Sequence, residues 1–362
     1  MNLRIPGPTP CPDEVLEAGA QQMMNHRGPE FAAILRRVTE GLSWAFQTSD
    51  DVYSISTSGT GGLEAAVVNT LSPGDRVLSV SIGSFGDRFG SIAQAYGADV
   101  EKYALEWGDA ADPAEIARRL DADPAIKAVL VTHNETSTGV TNDLETIARE
   151  VRSRERLILV DAVSSMSSIP CPVEKWDLDV VVSGSQKGWM VAPGLAFVYM
   201  GPRAWEAYES STMPKFYFDV KRAKTSLDKG QNPWTPAMAV YYQMDRAFEL
   251  MRTEGLEGIF TRHADIGAYA RERADQLGLT LVPTDRQRAS DTVTAVWWPE
   301  GVDGKAISKR AREEFGVVLG GGQGKLDGKI FRIGHLGFVS KEDVQQAFDV
   351  VERLLAEQKA SV

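Results

Sequence analysis

The sequence predicts an α/β protein: a mostly parallel sheet covered by helices, followed by a smaller α+β domain at the C-terminal end. Three observations carry this expectation. Short apolar runs rich in β-branched residues, such as Val180-Val181-Val182 and Leu157-Ile158-Leu159-Val160, read as strands buried on both faces. Stretches with apolar residues at helical spacing alternate with those runs, as in repeated strand–helix units. The chain has 362 residues, enough for a large core and two domains.

The elements follow in order. Residues 1 to about 20 read as a Pro-rich arm that passes into a helix near Pro12-Asp13-Glu14, where proline and the acids suit the positive helix end. A second helix is expected over about 30–46, with Phe31, Ile34, Leu35, Val38, Leu42 and Phe46 on one face. Val52 to Thr57 reads as a strand, and Ser58-Gly59-Thr60-Gly61-Gly62 as a turn that opens a helix running on through Asn69. Then come a strand at Arg76 to Ser81, a glycine-flanked loop at 82–86 carrying Phe85, a helix at about 89–96 and a strand near Val100 to Ala104. A helix at about 113–120, a strand at Ala128 to Thr132 and a helix at 143–153 lead to the strand Leu157 to Asp161. Two more apolar runs, from Val180 and from Leu195 to Met200, flank a loop containing Gln186 and Lys187. Lys221 to Pro236 is polar and turn-rich, and helices at about 237–253 and 255–276 connect to the smaller domain. There, strands are expected near 279–282, 292–298 and 329–333, helices near 304–315 and 340–357, and a mobile turn at Gly320 to Gly324. The resulting division is an arm over 1–20, a large domain over 21–254 and a small domain over 255–362.

Composition narrows the function. Hydrophobic residues make up 43% and charged residues 25%, which is ordinary for a soluble globular protein. A net charge of −11 without any basic block argues against a nucleic-acid partner. Cys11 and Cys171 match neither metal-ligand spacing nor a disulfide framework, as expected of a reduced, cytoplasmic protein. The Pro-broken N-terminus lacks a signal-peptide core, and no segment is apolar for long enough to span a bilayer.

In α/β sheets, ligands bind outside the carboxyl ends of the strands. Several chemically capable residues fall at such ends. Lys187 sits among small residues after a buried strand, where burial can lower its pKa and free the amine as a nucleophile. Ser58-Gly59-Thr60 at a helix start forms an anion cradle. It is neither a nucleoside-triphosphate loop nor a dinucleotide fingerprint, since Gly-Lys-Ser/Thr is missing and Glu64 replaces the last glycine. Phe85 can lie over a flat ring. Asp161 ends a buried strand, and a buried carboxylate needs a cationic or donor partner. Phosphate cradle, flat aromatic, carboxylate and amine together are what pyridoxal phosphate requires. Arg332, single in the apolar run Phe331 to Ile333, suits a substrate carboxylate, with an internal ion pair as the alternative.

The motifs PGPTPCP, HRGPEF, SGTGGLEAA, THNETSTGV, VDAVSS, VVSGSQKGWMVAPGLAFV and FRIGHLG, in this order along nearly the whole chain, resemble the class V, fold-type I pyridoxal-phosphate aminotransferases, specifically the alanine–glyoxylate and serine–glyoxylate (serine–pyruvate) group. The resemblance implies a seven-stranded sheet in the large domain and transfer of an amino group from alanine or serine to glyoxylate or another 2-oxo acid. It implies Lys187 as the Schiff-base lysine, Asp161 as partner of the ring nitrogen, and Val163 and Phe85 on the two ring faces. Thr136 is implied as donor to the ring oxygen, Ser58, Gly59, Thr60 and Gln186 as phosphate ligands, and Arg332 as the carboxylate site. Thr235 would reach the cofactor phosphate of a second subunit, so a homodimer with a shared site is implied. Phe85 stands where relatives often carry Trp. The rivals are a cysteine desulfurase or related lyase, for which residues 256–362 offer no cysteine, a non-catalytic aminotransferase-like subunit, and a nucleotide-binding oxidoreductase.

Overall fold

A computed structural model describes residues 1–360. Its strands are β1 (Asn2–Arg4), β2 (Tyr53–Ile55), β3 (Arg76–Ser81), β4 (Asp99–Ala104), β5 (Ile126–Thr132), β6 (Asn134–Glu135), β7 (Val140–Thr141), β8 (Leu157–Asp161), β9 (Val180–Gly184), β10 (Ala196–Met200), β11 (Val293–Trp297), β12 (Val317–Gly321) and β13 (Ile330–Gly334). Seven of them form the large sheet in the order β2-β10-β9-β8-β5-β3-β4. β4, β3, β5, β8 and β9 run parallel, whereas β10 is antiparallel to both β9 and β2. β8 and β9 are buried at every residue, which is why they read as continuous apolar runs rather than alternating ones. From β3 the chain goes outward to β4 and then returns to the other side as β5. The order therefore reverses between β3 and β5, and a crevice for ligands opens at their carboxyl ends.

The loop after β9 is fixed from beneath. Trp189 is fully buried, its ring 5.1 Å from that of Phe197 and 5.8 Å from that of Phe248, and its Nε1 donates to Ser183 Oγ at 2.9 Å. Lys187, two residues earlier, is thereby carried on a braced loop rather than a floppy one.

The second sheet has the order β1-β12-β13-β11. β1 lies parallel to β12, with Leu3 opposite Val318, so the N-terminal arm is stitched into the C-terminal sheet. The arm then crosses to the large sheet, and its helix Asp13–Gly19 packs on the helix Met238–Glu254.

Four local expectations are corrected. Phe85 is not in a loop: it lies in the first turn of a helix, Ser84–Ala95, whose N–H groups are taken up by side chains from beyond β5. Gly320 and Gly321 end β12 opposite Arg332 and Phe331 instead of forming a turn. Glycine is needed at 320 for space, since a Cβ there would stand 2.9 Å from Pro6 Cδ. Within the stretch read as turn-rich, Val220–Leu227 is helical, because Asp219 accepts from Lys221 N and Asn69 Oδ1 accepts from Val220 N at the helix start. Near 279–282 there is only a single bridge, from Leu281 to Val296, in place of a strand.

Candidate active site

A cavity of about 350 Å³ opens at the carboxyl ends of the large sheet, and Lys187 and Asp161 both line it. Ser58, Gly59, Thr60, Phe85, Val163 and Gln186 line it as well, so eight of the sequence-predicted residues meet in one place.

Lys187 reaches the cavity because β9 ends in a tight loop, in which Ser185 N donates to Leu195 O and Ser185 Oγ to Ala192 O. Its side chain is nearly buried, and Nζ donates to the carbonyl oxygen of Pro6 at 2.6 Å. Burial lowers its pKa from 10.5 to about 8; Arg332 and Arg88 push it the same way, and Asp161 and Glu135 oppose them. The arm passes so close that a Cβ on Gly7 would lie 2.6 Å from Nζ, and φ of +141° at Gly7 also demands glycine.

Asp161 ends β8 and is buried, yet among the described residues its carboxylate accepts one hydrogen bond, from Val163 N at 3.0 Å. Burial, helped by the charge of Glu135, raises its pKa to about 6, and Lys187 and Arg88 counteract this. A buried carboxylate so lightly partnered is a place for a donor or cation from a ligand.

The helix Gly59–Thr70 begins at the cavity with Ser58 as its N-cap and no side chain bonded across its end. Its first-turn N–H groups therefore stay available to an anion. Gly59 is obligatory for packing, since a Cβ there would stand 2.8 Å from Val163 Cγ2. Among the described residues, Gln186 Oε1 is buried without a hydrogen-bond partner.

Arg332, on β13, does not line the cavity. Its Nε donates to Gly321 O and its Nη1 to Thr136 O, each at 2.8 Å. Thr136 is buried beside it and likewise does not line the cavity. Burial lowers the Arg332 pKa to about 10, with Glu135 opposing, so the guanidinium stays charged at neutral pH. Among the described residues its hydrogen bonds go to carbonyls and none is an ion pair, so its charge suits a ligand carboxylate. Thr235 is exposed and lies outside the cavity.

Four residues escaped the sequence reading. Pro6 and Gly7 close on Lys187 from the arm, and Arg88 stacks over Phe85 with its carbon 4.9 Å from the ring centroid while donating to Thr60 Oγ1 at 3.3 Å. Glu135 is wholly buried among donors. The available signal for it was an acid between a buried strand and the hydroxyl run Thr136-Ser137-Thr138.

The comparison with known proteins decides the family. The sequence model of the family described as Aminotransferase class-V matches residues 2–326. The chain belongs to the class-V aminotransferases. A protein of Paracoccus denitrificans named L-aspartate–glyoxylate aminotransferase is 36% identical over 98% of this chain and 90% of its own length. A protein of Synechococcus sp. named soluble hydrogenase, small subunit, is 44% identical over 98% of this chain and 93% of its own. The crystal structure of alanine–glyoxylate aminotransferase from Nostoc sp. superposes with a TM-score of 0.93 at 32% identity, covering 98% of this chain and 94% of that one. The class-V chain thus has the fold-type I architecture, with its mostly parallel seven-stranded sheet.

Proposed function

We propose that the protein is a pyridoxal-phosphate-dependent aminotransferase that moves an amino group from a small L-amino acid, such as alanine or serine, to glyoxylate or another 2-oxo acid. The observation that carries this is a buried amine of lowered pKa, Lys187, in one cavity with a buried carboxylate that lacks a cation, Asp161. The cofactor suits the residues present. The uncapped start of the helix Gly59–Thr70 and the amide N–H groups of Gln186, which lines the cavity, suit its phosphate, and Asp161 suits its ring nitrogen. When bound, the cofactor supplies an aldehyde for amines and a ring that takes up the electron pair left at the α-carbon.

The chain's own groups do the rest. Lys187 Nζ holds the cofactor and moves the proton at the substrate α-carbon; a pKa of about 8 lets it both accept and return that proton near neutrality. Asp161 holds a proton on the ring nitrogen. Phe85 and Val163 orient the ring between them. Arg332 fixes the substrate carboxylate, and the arm at Pro6 and Gly7 excludes water from the Lys187 side. By the family resemblance, Thr136, which is buried beside Arg332, is assigned to the ring oxygen and Thr235 to the phosphate of a second copy. The exposure of Thr235 beside an aromatic stack of Phe216 and Trp234, 5.0 Å apart, supports pairing of two chains.

Names among the relatives favour aspartate as a further donor, and the name of the Synechococcus relative favours a second reading as a subunit of a larger assembly. Desulfurase chemistry lacks its nucleophile, since residues 256–362 contain no cysteine. The test is the visible spectrum of the purified protein with cofactor, titrated with L-alanine, L-serine and L-aspartate and then with glyoxylate. A band that bleaches with one donor and returns with glyoxylate is the expected result and identifies the donor. A band that no small amino acid bleaches would end the substrate assignment.

A further inference from the structure

Glu135 lies at the crevice where the strand order reverses, between the ends of β3 and β5, and it is completely buried. Its Oε2 accepts from Phe85 N at 3.0 Å and Gly86 N at 3.1 Å. Its Oε1 accepts from Ser137 N at 3.1 Å and Ser137 Oγ at 2.6 Å. Ser137 Oγ in turn accepts from Ser84 N at 2.9 Å. The first three N–H groups of the helix Ser84–Ala95 are therefore gripped by two side chains from another strand end.

The neighbourhood is shaped for this carboxylate. A Cβ on Gly83 would stand 2.5 Å from Glu135 Cγ, and φ of 169° there is extended backbone open to any residue. Gly83 is thus a glycine for space alone. Burial pushes the Glu135 pKa up, whereas the three backbone N–H groups and the Ser137 hydroxyl bring hydrogens to the carboxylate, and the N–H groups offer no acceptor for a proton on it. That donor geometry favours the ionised form against the cost of burial. Its charge acts on Lys187, Asp161 and Arg332, and for Arg332 it is the opposing influence to burial.

We propose that Glu135 is a positioning residue whose ionised carboxylate sets the Phe85 turn against the ring-binding face and supplies a fixed negative charge that acts on both Lys187 and Arg332. The first half of this role rests on the cofactor reading above; the second does not. A plain helix cap needs only hydrogen-bond acceptors, which a neutral side chain or water can provide. Here the charge itself matters, because Lys187 also faces Asp161, Arg88 and Arg332, and removing one negative neighbour leaves two cations against one anion.

The experiment compares wild type, Glu135→Gln and Glu135→Asp. In the protein freed of cofactor, the pH dependence of Lys187 labelling by an amine-reactive arylating agent, read by peptide mass, gives the charge effect. The midpoint is expected to fall by about half a pH unit or more in Glu135→Gln and to stay near wild type in Glu135→Asp. Pyridoxal phosphate affinity, read by equilibrium titration, is expected to weaken by about tenfold in both variants, the loss of one charge-assisted hydrogen bond. An unchanged midpoint and unchanged affinity in folded Glu135→Gln would overturn the proposal. Should Glu135→Gln fail to fold, Glu135→Asp decides it: wild-type affinity there would overturn it. If wild type itself binds no pyridoxal phosphate, the cofactor reading fails while the labelling midpoint still tests the charge role.

Discussion

Lys187 follows a strand of the seven-stranded sheet and Arg332 lies on a strand of the four-stranded one, and burial does different things to them. Both are more than nine-tenths removed from solvent by surface exposure and both donate to backbone carbonyls rather than to carboxylates. Desolvation lowers the lysine to about 8 and the arginine to about 10. The first value lies within reach of neutral pH and the second does not. The large sheet thus carries an amine that can lose its proton, and the second sheet carries a cation that keeps it. The arm joins the two halves. Pro6 accepts from Lys187 and stands against Gly320, the residue paired with Arg332. Thr9 N donates to Gln186 O and Thr9 Oγ1 to Lys187 O.

The sharpest break in that comparison is Lys187→Ala. It is expected to abolish the visible cofactor band and lower single-turnover amino transfer on the order of 10³-fold or more. Arg332→Ala should leave the band in place, so the two cations separate into cofactor and substrate roles; a missing band in Arg332→Ala would merge them again. Asp161→Asn comes next, with an expected fall in kcat of roughly 10²-fold and a cofactor that still binds; stopped-flow absorbance with L-alanine measures it. Arg332→Lys keeps charge but loses the planar fork. Its KM for the amino donor is expected to rise about tenfold or more, with kcat much less affected, in steady-state assays.

The smallest effect concerns stability. Lys187 carries a folded pKa of about 8 against an ordinary 10.5, so the unfolded chain binds the proton more tightly. Folding is therefore disfavoured by about 3 kcal/mol below pH 8, and this cost is relieved as pH rises from 8 to 10.5. In the cofactor-free protein Lys187→Met is expected to melt several degrees higher than wild type at pH 7, with the gap closing toward pH 10. Calorimetry at the two pH values reads it. Equal melting temperatures at pH 7 would mean that the Pro6 hydrogen bond already compensates the buried amine.

Legibility followed locality. Asp161 and Lys187 were visible because each directly follows an apolar run, and a strand buried on both faces announces its own carboxyl end. The Ser58-Gly59-Thr60 turn was visible for the same reason, a strand, a Gly-rich turn and a helix start in one short stretch. Phe85 was found as a residue but misplaced as loop, because the helix it begins is capped by Glu135 and Ser137 from fifty residues away. Gly320 and Gly321 looked mobile because glycine content signals turns, whereas they end β12 and the reason for glycine at 320 is the Pro6 crossing.

The sequence by itself determined the strands of the large sheet, the residues at their carboxyl ends and, through its ordered motifs, the family. Periodicity reports how each element is buried, and burial is decided residue by residue along the chain. Only the tertiary structure decided that Pro6 covers Lys187 across 181 positions, that Thr136 holds Arg332 across 196, and that Glu135 grips the Phe85 turn. Those pairings depend on which surfaces meet when two sheets and an arm pack together, and no local pattern encodes a meeting between distant backbones.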